Sequence, residues 1–247
     1  MQRTKEKPRS RRFLKAALAF IALVILIQMA VFFAEVALLS TRNPPTTAFI
    51  QRYLNQCLLA GEDCPFSQEW KPLDEISIQL QEAVLIGEDD AFFEHEGIDT
   101  EALREAAEVN RRKKKIVRGG STITQQLAKN LYLSPSKNYY RKGKEMIISL
   151  LMEKILTKQR ILEIYLNVIQ WGRGIYGAEA ASLHYFNKPA SKLTMDEAAF
   201  LAAIIPNPER LTDSSHSKVA DRRKAIILRR MQSRNHPELR AAENPGP

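Results

Sequence analysis

Four polar segments lie where a helical pattern assigns them no structural task. The first is Glu88-Asp89-Asp90-Ala91-Phe92-Phe93-Glu94-His95-Glu96-Gly97, which follows the end of an apolar stretch. Glu88 would stand where a core face meets an acidic loop. Partial burial beside Phe92 and Phe93, with like charges near, raises a carboxylate pKa toward neutrality, the setting a general base needs. A solvated acidic loop accounts for the same residues. The second segment is Arg118-Gly119-Gly120-Ser121-Thr122-Ile123-Thr124-Gln125-Gln126, with Lys129 one turn on. Two glycines running into a Thr-capped helix expose free N–H groups at the positive end of a helix dipole, an anion-binding geometry, although a plain turn reads the same way. No Gly-Lys-Ser/Thr ends it, so it is not a nucleotide P-loop.

The third segment, Arg141-Lys142-Gly143-Lys144-Glu145, puts Arg141 and Glu145 on one helix face. It reads either as a surface ion pair or as a carboxylate held among cations to bind a phosphate or a metal. The fourth is Arg160-Ile161-Leu162-Glu163-Ile164-Tyr165-Leu166-Asn167 with Trp171-Gly172-Arg173-Gly174-Ile175-Tyr176-Gly177 after it. Leu162, Tyr165 and Leu166 make a core stripe, and Glu163 and Asn167 are placed to cap the glycine-rich turn. That segment reads as architecture more than chemistry.

The elements that must position these residues are helical. Apolar spacing predicts helices over 49–59, 73–86 (ending at Gly87), 100–110 (capped by Thr100), 122–131, 138–157, 158–169, 195–205 and 221–232. Thr122 with Gln125, and Thr194 with Glu197, have capping-box spacing. The cationic run Arg111 to Lys115 is expected to stop one helix and form a loop. Alternation of period two is nearly absent and no repeat is present, so the expected fold class is mainly α.

A net charge of +9 calls for an acidic partner: nucleic acid, phosphate or an anionic membrane. The N-terminus chooses among them. Residues 1–15 carry seven Lys and Arg against one Glu, and every residue from Ala16 to Ala34 is apolar except Gln28. As a helix that run would be roughly 28 Å long, about one hydrocarbon core. No convincing small-residue cleavage site follows, so a retained anchor is expected rather than a cleaved signal. The basic flank would stay in the cytoplasm, placing everything after about Ser40 outside. The organisation read here is a basic tail (1–15), a transmembrane helix (16–39), a linker and membrane-proximal segment (40–75), one enzyme domain (76–235) and a disordered tail (236–247). Cys57 and Cys64 either pair in an oxidising compartment or remain thiols; without a nearby histidine they do not suggest a metal site.

Taken in order behind an anchor, the motifs resemble the peptidoglycan glycosyltransferases of the lysozyme-like fold, also found as the first domain of bifunctional penicillin-binding proteins. The resemblance rests on Glu88-Asp89 through Phe92 to His95-x-Gly97, Gly120 to Gln126, Arg141-Lys142-x-x-Glu145, Arg160 to Asn167, and Ala180-Ala181 through Tyr185-Phe186. It covers about residues 76–234 and fits a monofunctional member. It implies a bilobed lysozyme-like domain that polymerises lipid II onto a lipid-linked growing strand, at the outer face of a bacterial inner membrane and alongside other cell-wall synthases. Glu88 would be the base for the acceptor's sugar 4-hydroxyl, with inversion at the donor carbon and departure of lipid pyrophosphate. Glu145 would organise the pyrophosphate, with Lys129, Arg141 and Lys144 neutralising it. Ser121, Thr122, Gln125 and Gln126 would contact donor phosphate or sugar. Mg2+ or Mn2+ near Glu145 would be an optional helper rather than an obligatory cofactor. Apart from the resemblance, the basic run Arg111 to Lys115 with Ile116 and Val117 suits a mobile loop dipping into lipid headgroups, and a plain solvated loop accounts for it as well. Lys137 stands where relatives often carry arginine, so a phosphate contact there would be monodentate.

The rivals are a lytic hydrolase of the same fold, which has no need of a cationic pyrophosphate cradle, and an inactive membrane-anchored scaffold. A penicillin-type transpeptidase is excluded: Ser134-Pro-Ser-Lys137 and Ser215-His-Ser-Lys218 match S-x-x-K, but no Lys-Thr-Gly follows. Nucleic acid is not an expected partner outside the membrane.

Overall fold

The computed structural model of the chain describes residues 9–61, 63–115, 119–136, 138–213 and 217–233. Outside these lie most of the basic tail, Ile116 and Val117 of the expected headgroup loop, Arg118 of the second motif, Lys137, both Ser215 and His216 of the second S-x-x-K match, and the tail from His236. The chain divides into two compact units, residues 1–42 and 43–247.

The first unit contains α1 (Arg9–Leu38). Its stretch Phe13–Leu38 is long and apolar enough to cross a membrane, and the residues from Phe13 to Val31 are all exposed. A helix apolar on all faces has no amphipathic reason to lie on a water-soluble core.

The second unit is mainly α, as expected, and includes residues 43–75. The segment read as linker contributes α2 (Ala48–Ala60), β1 (Ser67–Gln68) and a 3-10 turn (Leu73–Glu75). Then follow α3 (Ile78–Glu88), α4 (Thr100–Lys113), α5 (Ile123–Tyr132), α6 (Tyr139–Ile155) and α7 (Lys158–Val168). A hairpin of β2 (Gln170–Gly172) and β3 (Ile175–Tyr176) leads to α8 (Ala178–Phe186), a 3-10 turn, α9 (Met195–Ile204), the short α10 (Pro208–Leu211) and α11 (Ser217–Ser233). The strands form one small sheet, ordered β1-β3-β2, parallel between β1 and β3 and antiparallel between β3 and β2.

Side-chain caps set several helix starts. Thr47, Asp99, Thr122, Asn138, Thr157 and Thr194 each accept a backbone N–H in the first turn. Thr194 and Glu197 complete the reciprocal capping box. At Thr122 only the forward half forms, because the Gln125 side chain is used elsewhere. Three expectations are corrected. Thr100 is the first helical residue and Asp99 is its cap. The run Arg111 to Lys113 is the last turn of α4, stopped by Lys114 in the left-handed conformation (φ 49°), so cations meet the negative end of the helix dipole. Gly87 lies inside α3 instead of ending a helix; a Cβ there would stand 3.2 Å from Ile227 Cδ1, so its smallness serves close packing.

Two helix groups build the core. α3 packs on α9 and α11, with Leu80, Val84, Leu201, Ile227 and Met231 buried and with Ala83, Ala198, Ala199, Ala202 and Ala203 letting the backbones approach. Each fully buried leucine contributes about 1.5–3 kcal/mol. α5 packs on α6 and α7 through Ile123, Leu127, Met152, Ile161 and Leu162. Buried Trp171 ties the hairpin to the first group by donating Nε1–H to Leu201 O at 3.0 Å. Glu163 and Asn167 do not cap the glycine-rich turn. Asn167 clamps Lys71 through its N and O at 2.8 Å each, and Glu163 accepts Leu73 N, so both hold the segment before α3.

Candidate active site

The last residue of α3 is Glu88, and the N-terminus of α5 faces the loop that follows it. Asp89, buried, accepts Ile123 N at 2.8 Å and His95 Nε2 at 2.9 Å. His95 Nδ1 accepts Gly97 N at 3.1 Å, and Gly97 O accepts the Thr122 hydroxyl at 2.7 Å. This closed ring makes Asp89-x-x-x-x-x-His95-x-Gly97 a clamp that fixes the acidic loop on α5. Gly97 has φ +87°, and a Cβ there would meet Glu153 Cγ at 2.9 Å. The Thr122 hydroxyl donates to the clamp and accepts Gln125 N as the helix cap.

Glu88 is the carboxylate left over. Its side chain is 10% exposed, accepts Gln126 Nε2 at 2.9 Å and pairs with Arg223 Nη2 at 3.1 Å. Burial pushes its pKa above the usual carboxylate range. The Gln126 hydrogen bond, Arg223 and Lys129 pull the other way, and Asp89 adds to the rise. Gln126 is held from behind by the buried Tyr165 hydroxyl, which donates to its Oε1 at 3.0 Å. A cleft of about 480 Å³ on one side of Gln126 and Pro206 includes Glu88, Asp90, Ser121, Arg223 and Arg230 in its lining. A second hollow of about 340 Å³, with Lys129, Asn130 and Glu209 in its wall, shares Gln126 and Pro206. The base candidate thus lines the first recess, and its partner Gln126 borders both.

A cationic cluster stands on α5 and α6. Glu145, 3% exposed, is ion-paired to both Arg141 and Lys142. Lys142 Nζ also donates to Ser121 Oγ and to Gln125 Oε1, at 2.9 Å each. Gln125 Nε2 is buried without a hydrogen-bond partner among the described residues. Lys129 lies within electrostatic reach of both carboxylates. Burial draws its pKa down, with Glu145 opposing, Arg141 and Lys142 reinforcing, and Glu88 opposing. The structure thus gathers Ser121, Gln125, Lys129, Arg141 and Glu145 and places Gln126 on Glu88. Lys144 does not join them: it is exposed and lies over the Tyr140 ring, 4.6 Å from its centroid. Lys142 takes the place the sequence reading gave to Lys144.

A divalent ion held at Glu145 would need free carboxylate oxygens. Both of these face cations, and among the described residues no three His, Cys, Asp or Glu side chains stand together as a metal site. The residues fit an anion neutralised by side chains and do not fit a resident metal ion. No disulfide joins Cys57 and Cys64.

Sequence reasoning missed three contributors. Arg223 and Arg230 come from α11; their spacing of seven places both on one face, and Arg230 pairs with Asp90 at 2.5 Å. Tyr165 was read as core, which it is, but its hydroxyl also reaches Gln126.

The transglycosylase family model matches residues 55–232. The chain is 46% identical over 206 residues to a biosynthetic peptidoglycan transglycosylase of Azoarcus sp., covering 83% of this chain and 89% of that one. It is 45% identical over 220 residues to the protein of the same name from Aromatoleum aromaticum (89% and 93% covered). The similarity to that of Thiobacillus denitrificans is 45% over 219 residues (89% and 94% covered).

Proposed function

The chain belongs to the transglycosylase family and is a peptidoglycan glycosyltransferase, and from that premise we propose that it joins lipid II to a lipid-linked glycan strand with Glu88 as general base. The observation that carries the reading is the separation of two jobs across one seam. A buried carboxylate with a raised pKa lines one recess, its partner Gln126 borders a second, and a cluster of cations stands one helix turn and more along α5.

An inverting displacement at an anomeric carbon needs a base on one face of the sugar and charge stabilisation on the other. Glu88 takes the proton of the acceptor's 4-hydroxyl as that oxygen bonds to the donor carbon. The bond from that carbon to the pyrophosphate oxygen breaks on the opposite side. Lys129, Arg141 and Lys142 neutralise the departing lipid pyrophosphate, with the Ser121 hydroxyl supplying a neutral donor. Glu145 preorganises the cations, since a carboxylate touching two of them fixes their positions before substrate arrives. No step needs a metal ion. Gln126, spent on Glu88 and Tyr165, orients the base and does not bind the donor. The apolar stretch of α1 would anchor the chain in the inner membrane with the second unit outside, bringing it to a substrate whose lipid stays in the bilayer.

The test is incubation of the purified full-length chain with lipid II in detergent, followed by gel and anomeric analysis of the product. The expected result is a ladder of β-linked strands and free lipid pyrophosphate. Untouched lipid II with cleavage of finished glycan would replace the reading with the hydrolase.

A further inference from the structure

We infer that Tyr165 is a positioning residue for the transfer reaction, acting on Glu88 through the side-chain amide of Gln126. The inference rests on the reading of Glu88 as base and goes beyond it by assigning a function to a residue inside the core. Tyr165 is wholly buried on α7. Its hydroxyl meets one polar atom, Gln126 Oε1, at 3.0 Å. The other end of the same amide donates Nε2–H to Glu88 Oε2 at 2.9 Å. Three side chains from α7, α5 and α3 therefore make one line of donors ending on the carboxylate.

The direction of that line follows from chemistry. An ionised carboxylate accepts hydrogen bonds only, so it demands the amide's NH2 end, which turns the carbonyl end toward Tyr165. Tyr165 answers with its proton, and burial, with Glu88 and Asp89 close by, keeps that hydroxyl protonated. The O–H bond to the carbonyl polarises the amide and strengthens the N–H bond to Glu88. It also restrains an amide that borders both recesses and would otherwise be free to turn with each substrate.

The charged and titratable groups facing Glu88 are Asp89 from its own loop, Lys129 from α5, Arg223 from α11 and Tyr165 from α7. None but Tyr165 touches the carbonyl end of Gln126 by a hydrogen bond described in the structure. Removing the Tyr165 proton should therefore act on Glu88 as a weaker version of removing the amide.

The experiment measures kcat/KM for lipid II polymerisation against pH with full-length wild type, Tyr165→Phe, Gln126→Met and the double variant. Glu88→Gln serves as a control, and melting curves verify folding. Gln126→Met should move the acid limb up by about one pH unit, the effect of losing a charge-assisted hydrogen bond. Tyr165→Phe should move it part of that way, and the double variant should lie where Gln126→Met lies, because Tyr165 has then nothing to act through. A uniform fall in rate with an unmoved limb would overturn the inference and leave Tyr165 as packing. So would a double variant whose limb lies at the sum of the two single shifts. If Tyr165→Phe fails to fold, infrared pH titration of the Glu88 carboxylate band in the full chain carrying 3-fluorotyrosine, whose hydroxyl is the stronger donor, replaces it: a lowered titration midpoint is expected, and an unmoved one overturns the inference. Full polymerisation by Glu88→Gln would sink the base reading itself, a result distinct from either failure of Tyr165.

Discussion

Lys142 and Lys144 have the same side chain, lie two positions apart on one helix, and should differ greatly in what their loss does. Lys142 Nζ meets Ser121, Gln125 and buried Glu145, whereas Lys144 lies exposed over Tyr140. A charge-assisted contact to a phosphate oxygen in a partly buried site is worth about 1.5–3 kcal/mol. At about 1.4 kcal/mol per tenfold, Lys142→Met should lower kcat/KM for polymerisation about 10- to 100-fold. Lys144→Met should change it less than about threefold, in keeping with an exposed cation. Stability should separate them too. Lys142→Met leaves Glu145 with Arg141 alone and takes the donor from Gln125. Because the Lys142 side chain is itself 32% exposed, the cost is discounted to about 1–2 kcal/mol. Lys142→Met with Glu145→Gln should recover part of that stability and none of the activity. Initial rates with lipid II and denaturant unfolding of the same preparations measure both. Equal losses at the two lysines, or a larger loss at Lys144, would refute the placement of the cation cluster.

Other perturbations probe other parts of the account. The raised pKa of Glu88 means that folding disfavours its ionised form. The stability it contributes is fully present below its unfolded pKa and is lost as pH rises through its higher folded value. Glu88→Gln should therefore melt no lower than wild type at pH 7, with the difference narrowing toward pH 4, as melting curves in detergent would record. Gly174→Ala should cost more than about 2 kcal/mol, because φ is +73° and the new Cβ would fall 1.7 Å from Pro65 O; urea unfolding would detect it. Asp89→Ala removes the acceptor of Ile123 N and His95 Nε2 and should destabilise by about 2–3 kcal/mol, with faster amide exchange in the 89–97 loop.

The sequence carried the site's chemistry where that chemistry is local. Glu88, the Gly-Gly entry to α5 and the Arg141–Glu145 pair are legible because each depends on spacing within one or two turns. What stayed hidden depends on rotation and on distance along the chain. Whether Lys142 or Lys144 faces α5 is a matter of some 200° around α6, which a short cationic motif does not fix. Arg223 meets Glu88 across 135 positions, so only tertiary packing of α11 on α3 brings them together. Gly87 was read as a stop although its neighbour Ile227 needs it small, and the cationic run was read as a loop although helix dipole and positive charge agree there. Nothing local announces that the Thr122 hydroxyl gives its proton to Gly97 O, 25 positions earlier.

The most direct test of the central claim is polymerisation of lipid II by full-length Glu88→Gln beside wild type, with matching melting curves. The account predicts strands from wild type and none from the variant, although the variant stays folded. Strands of normal length from a folded Glu88→Gln would contradict it, for the proton of the acceptor hydroxyl would then have to leave by another route.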